Sequence, residues 1–133
     1  MIHRLRRGGM ITVLIIDDEA PIRLLCRVNL EAEGMEVLEA ADGPGGLELA
    51  RTERPDIVLL DVMMPGLDGP GTLQAMRETP RMADVPVVFM TAKVQPQEIA
   101  NLRSLGALGV IAKPFDPITL SATIRGIWTE HHG

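Results

Sequence analysis

A chain of 133 residues, 46% hydrophobic and 23% charged, has the size and composition of one globular domain. Its 18 acidic residues against 13 Lys and Arg give a formal charge of −5, and aromatics are only 2%; both argue against a basic nucleic-acid surface or a base-stacking platform. The single cysteine, Cys26, excludes an internal disulfide and a thiolate zinc cluster within one chain, and no apolar run approaches the roughly 18 residues of a membrane span.

Arg4, Arg6 and Arg7 precede an apolar run that begins at Met10. The run is short, ends in Asp17-Asp18-Glu19 and lacks a small-residue cleavage site, so residues 1–9 are expected to form a disordered leader rather than a secretory signal. A cytoplasmic location is the expectation, with one folded unit over residues 10–130 and a tail over 131–133.

Residues 11–16 form a continuous β-branched apolar run. A shorter, more polar strand segment surrounds Val37-Leu38, and further apolar runs cover residues 57–60, 87–90 and 110–112. Continuous apolarity marks parallel strands covered on both faces. Helical patterns fill the gaps. Pro21 suits a first turn, Ile22, Leu25 and Cys26 have helical spacing, and Gly34 is a natural stop. Cys26 is expected as a small buried apolar residue. Residues 43–53, 70–78, 96–105 and 117–129 continue the series, the last carrying Leu120, Ile124, Ile127 and Trp128 on one face. Five βα units predict an α/β fold: a doubly wound five-stranded parallel sheet, order 2-1-3-4-5, with helices on both faces. The polar second strand fits an edge. Ligands in such sheets bind beyond the carboxyl ends of the strands, where the order reverses.

The strand ends carry the chemistry. Strand 1 ends in Asp17-Asp18-Glu19, strand 3 in Asp61, strand 4 in Thr91-Ala92 and strand 5 in Lys113-Pro114. Taken singly, each has an ordinary reading: the acids can cap the next helix, Lys113 can be a solvated lysine, Thr91 a cap, and Asp61-x-x-x-Pro65-Gly66 a turn. Taken together, four strands offer complementary groups at one end. Crowded carboxylates repel, and a hard divalent cation removes that penalty; carboxylates plus waters and phosphate oxygens describe Mg²⁺, while the absence of His and Cys at the strand ends disfavours zinc. An ammonium, a hydroxyl and a backbone N–H around a central carboxylate suit a phosphoryl group in transfer, with Asp61 as the nucleophile.

Those residues, with Asp61-Val62-Met63-Met64-Pro65-Gly66-Leu67-Asp68-Gly69, Met90-Thr91-Ala92 and Lys113-Pro114-Phe115 in order, resemble the receiver domain of two-component response regulators, the CheY-like family, over residues 11–130. The resemblance implies that Asp61 accepts a phosphoryl group from a phosphohistidine on a histidine kinase or histidine phosphotransfer protein. It implies that Asp18, Asp61 and the Met63 carbonyl ligate Mg²⁺, and that Asp17 acts mainly through metal-bound water. Lys113 is then the phosphoryl counter-ion, and Thr91 and the Ala92 N–H are its hydrogen-bond donors. The resemblance further implies a cis Lys113-Pro114 bond and a first-turn, non-ligand role for Glu19; Met63 and Lys93 fall at positions that tune acyl-phosphate lifetime.

One departure stands out. Val110 occupies a position, three residues before the lysine, where the family usually has Tyr or Phe. Phosphorylation chemistry is expected to survive, and coupling to the surface of helix 4, strand 5 and helix 5 to be weaker or to use another surface. The expectation is a stand-alone, phosphorylation-controlled binding module without nucleic-acid or membrane contacts, with a phosphorylation-dependent homodimer as one form of output. The alternatives are a non-phosphorylated scaffold-type receiver, a phosphate sink or a phosphorelay intermediate. A haloacid-dehalogenase-type phosphatase is disfavoured because Met63, two residues after Asp61, cannot transfer a proton. A flavodoxin-like FMN site is disfavoured because acids replace the phosphate loop after strand 1.

Overall fold

The computed structural model describes residues 10–132. The expected leader, residues 1–9, and the final Gly133 lie outside the described residues. Strand β1 (Thr12–Ile16) leads into α1 (Ala20–Ala32), and β2 (Glu36–Ala40) into α2 (Gly43–Glu53). Strand β3 (Ile57–Asp61), α3 (Gly69–Arg77) and a 3₁₀ turn (Pro80–Met82) come next, then β4 (Val87–Thr91), α4 (Pro96–Ser104), β5 (Gly109–Ala112) and α5 (Pro117–His132). All strand pairs are parallel and the sheet order is β2-β1-β3-β4-β5, as the sequence predicts. No helix among the described residues is long and apolar enough to cross a membrane.

The three central strands are buried on both faces because alternate side chains feed two separate cores. Val13, Ile15, Ile57, Leu59, Val88 and Met90 pack with Cys26 and Leu30 of α1 and with Leu120 and Ile124 of α5. Leu14, Ile16, Val58, Leu60, Val87 and Phe89 pack on the other side with Ala50 of α2, Leu73 and Met76 of α3 and Leu102 of α4. Each fully buried Val, Leu, Ile, Phe or Met among them contributes about 1.5–3 kcal/mol relative to exposure. Cys26 is completely buried, and burial first, then the Asp17 charge, pushes its thiol up to about 12, so it is an inert core residue.

Local chemistry sets the helix ends. Asp42 and Asp68 cap α2 and α3 by accepting from the Gly45 and Gly71 N–H groups at 2.7 and 2.9 Å. Helix α1 ends on Gly34 at φ +85°, with the Met35 N–H donating to the Leu30 carbonyl. Three details depart from the sequence expectation. Leu25 is 42% exposed because the inward stripe of α1 runs Ile22, Cys26, Leu30. The 3₁₀ turn has no counterpart in the apolar pattern. Helix α5 runs through His131 and His132, expected from the sequence as a tail, since nothing between Thr129 and His132 breaks a helix.

Candidate functional site

Backbone ladders deliver the candidate residues to one place. Beyond β1, the Asp17 N–H continues the pairing with β2 by donating to the Ala40 carbonyl at 3.1 Å. Asp61 is the last residue of β3 and stands opposite Met90 of β4. Thr91 ends β4 opposite Ala112, and the Lys113 N–H donates to the Thr91 carbonyl at 2.9 Å. Parallel strands in this order therefore bring residues 17, 61, 91 and 113 to a common edge, as the strand-end reading requires.

Lys113 Nζ stands 2.8 Å from Asp17 Oδ2 and 3.1 Å from Asp61 Oδ1, with Glu19 Oε1 at 3.4 Å. The Lys113-Pro114 peptide is cis. A small cavity of about 190 Å³ opens beside them, lined by Asp61, Lys113, Thr91, Ala92, Glu19, Met63 and Lys93. Thr91 is buried, and its Oγ1 accepts the Lys93 N–H at 3.0 Å, which leaves the hydroxyl proton free to be donated into the cavity. Ala92 is exposed with little side chain in the way. The Met63 side chain is 62% exposed at the rim. Glu19 is the residue immediately before α1 and makes no side-chain cap; the Asp17 Oδ1 accepts its N–H at 2.8 Å instead.

The electrostatics are those of a crowded acidic pocket. Asp61 is pushed up to about 6 by burial and then by the Asp17 charge, opposed by hydrogen bonding and attraction from Lys113 and by a backbone hydrogen bond from Met63. Burial works against the Lys113 charge, but hydrogen bonds and attraction from Asp17 and Asp61 outweigh it and hold the ammonium above the ordinary lysine range.

Carboxylate oxygens of Asp17, Asp18 and Asp61 all lie within 4.8 Å of one another, the first and last buried and the second exposed. An all-oxygen set with excess negative charge and an open side fits a hard divalent cation that keeps part of its water shell. Two residues that the sequence pattern does not single out belong to this neighbourhood. Arg23 Nη1 donates to the Asp17 carbonyl at 2.8 Å, and its Nε donates to Glu39 of β2 at 3.0 Å. The only sequence signal for either is a charged residue on an otherwise half-buried face.

Residues 13–125 match the response regulator receiver domain family. Over 115 residues the chain is 41% identical to "Probable transcriptional regulator ycf27" of Porphyridium aerugineum, covering 86% of this chain and 47% of that protein. It is 37% identical to the alkaline phosphatase synthesis transcriptional regulatory protein PhoP of Bacillus subtilis (strain 168), again covering 86% of this chain and 47% of the relative. The chain thus spans about half the length of the curated relatives it matches. Among solved structures, the chemotaxis response regulator CheY4 of Vibrio cholerae superposes with a TM-score of 0.84 at 33% identity, covering 90% of this chain and 99% of that one.

Proposed function

The chain belongs to the response regulator receiver family, the phosphoacceptor modules of two-component signalling, and from that premise we propose that Asp61 takes a phosphoryl group from the phosphohistidine of a partner histidine kinase or histidine phosphotransfer protein. The observation that carries this reading is the single ammonium of Lys113 bridging Asp61 and Asp17 inside a triad of converging carboxylates.

In the proposed step an ionised oxygen of Asp61 attacks phosphorus, an O–P bond forms, the P–N bond breaks and the imidazole keeps the electron pair. Asp61 holds its place at the end of β3 while Lys113 moves from pairing with its carboxylate to pairing with a phosphoryl oxygen. The Thr91 hydroxyl and the Ala92 N–H donate to the remaining oxygens. Asp18, Asp61 and the Met63 carbonyl would hold Mg²⁺, with Asp17 acting through bound water, and the bound ion would offset the charge that carboxylates and phosphoryl oxygens share. Lys113 cannot meet that charge alone, because the carboxylates of Asp17, Glu19 and Asp61 already surround its one ammonium.

The proposed output is a change in protein contacts, a phosphorylation-dependent homodimer among them. Val110 of β5 is half-buried against the core layer that contains Phe89, and its two methyl groups carry no ring that could swing between positions. The output is therefore assigned to movement of Thr91 and the β4–α4 loop rather than to an aromatic switch.

Intact mass after incubation with acetyl phosphate tests the proposal, with and without Mg²⁺, on the wild type and Asp61→Asn. A single Mg²⁺-dependent phosphoryl adduct, absent from the variant, is expected. An unlabelled wild type that also fails to respond to its kinase and to beryllofluoride would favour the scaffold-type reading.

A further inference from the structure

Asp17 is held at every polar atom. Its N–H donates to Ala40, its Oδ1 accepts from Glu19 N–H, its Oδ2 accepts from Lys113, and its carbonyl accepts from Arg23 Nη1 at 2.8 Å. The last of these fixes the peptide plane between Asp17 and Asp18. Asp18 is exposed and sits just past the end of the β1 ladder, so that peptide plane governs where its carboxylate points.

Arg23 is itself oriented. Its Nε donates to Glu39 Oε1 at 3.0 Å, so one planar guanidinium joins β2 to the Asp17 carbonyl in a geometry that a lysine cannot reproduce. Glu39 is in turn gripped by Arg27 Nε at 2.5 Å, and the Arg27 hydrogen bond, followed by that of Arg23, holds its carboxyl below the usual range. Glu39 lies opposite Ile15, two residues before Asp17 on the neighbouring strand. Both arginines meet at Glu39, and of the two it is Arg23 that goes on to Asp17.

We propose that Arg23 is a positioning residue for the acidic pocket: locked by Glu39, it sets the Asp17–Asp18 peptide so that both carboxylates converge with Asp61 on Mg²⁺. The inference rests on the Mg²⁺-dependent phosphoacceptor reading given above. Arg23 acts through Asp17 and touches neither the ion nor the phosphoryl group. Groups that orient metal ligands in this way change metal affinity by about tenfold or more when removed.

A purely structural role would be a tether between α1 and β2. Arg27 supplies the comparison, because it makes that same tether, to Glu39 and to the Val37 carbonyl, without contacting Asp17. The test titrates Mg²⁺ calorimetrically into the full chain at pH 8, alongside thermal midpoints in EDTA and acetyl phosphate labelling. Arg23→Ala should weaken Mg²⁺ binding by about tenfold, and Arg23→Lys by a smaller factor of about three, since one ammonium cannot serve both partners. Arg27→Ala should lower the midpoint yet leave Mg²⁺ affinity within about twofold of wild type, as for a partly exposed ion pair remote from the ion. Unchanged Mg²⁺ affinity in Arg23→Ala with a lowered midpoint would overturn the proposal, as would equal losses in Arg23→Ala and Arg27→Ala. Should Arg23→Ala fail to fold, Arg23→Lys against Arg27→Ala decides in the same way. A wild type that neither binds Mg²⁺ nor is labelled removes the receiver reading and this inference with it. A wild type that does both, with matching Arg23 variants, removes the Arg23 role alone.

Discussion

Lys113 Nζ lies 3.1 Å from Asp61 Oδ1 across 52 residues of sequence, and it is the cation that separates Asp61 from the fully buried Asp17. Lys113→Ala leaves two carboxylates facing each other. In EDTA the variant should lose about 2 kcal/mol, less than for a fully enclosed pair because the pocket opens to water. Added Mg²⁺ should restore much of that loss by binding the variant more tightly than the wild type, while the response to phosphorylation weakens. Urea unfolding with and without Mg²⁺ checks the first part; an equal stability gain from Mg²⁺ in wild type and variant would contradict it.

Asp61 supplies a pH dependence with a definite sign. Its folded-state value of about 6 lies above its ordinary 3.8, so the folded protein binds that proton more tightly than the unfolded chain. Ionised Asp61 therefore costs stability above pH 6, and the cost fades as pH falls from 6 towards 4. Asp61→Asn removes it. In EDTA at pH 8 the variant should melt higher than wild type, by about 4 °C for each kcal/mol relieved, and the gap should narrow at pH 4.5. Midpoints measured at the two pH values decide; a variant that melts lower at pH 8 would show that burial does not strain the carboxylate.

Gly69 opens α3 directly against the backbone that carries Asp61. A Cβ there would lie 2.4 Å from the Asp61 carbonyl oxygen and 2.8 Å from Val62 Cα. Backbone atoms cannot turn aside as a side chain can. Gly69→Ala should cost about 1–3 kcal/mol, the range for overpacking, and should slow acetyl phosphate labelling because relief requires moving Asp61. Wild-type labelling together with wild-type stability would show that α3 can slide without disturbing β3.

Thr91→Val keeps the shape of the side chain and removes its oxygen. The Lys93 N–H loses its 3.0 Å acceptor but lies at the exposed loop, where water can replace it. The stability cost should stay below about 1 kcal/mol. Labelling of Asp61 should persist, and phosphorylation-dependent changes in the amide spectrum of the β4–α4 loop should shrink. Full spectral changes in the variant would place the switch elsewhere.

The strand order and the convergence of residues 17, 61, 91 and 113 are legible in the sequence because they depend on runs of apolar residues and on the polar residue that ends each run. The same one-dimensional reading fails where partners are distant. Nothing local tells that Lys113 spans Asp17 and Asp61, or that Arg23 reaches both the Asp17 carbonyl and Glu39. Leu25 has helical spacing yet faces outward, because the direction of a helix stripe is set by the sheet it meets. Gly46 reads as an ordinary small helical residue; only its packing against Ile16, which leaves no room for a Cβ, gives it a reason. The extension of α5 to His132 is not legible because its last turn carries polar residues that neither favour nor break a helix.

The edge position of β5 gives the pocket a temporal dimension. Lys113 comes after the outermost strand, which is bonded only to β4. During synthesis Asp17 and Asp61 are made long before the ammonium that bridges them in the folded chain. A stalled or clipped product without this last strand carries Asp17 and Asp61 but not the ammonium that bridges them.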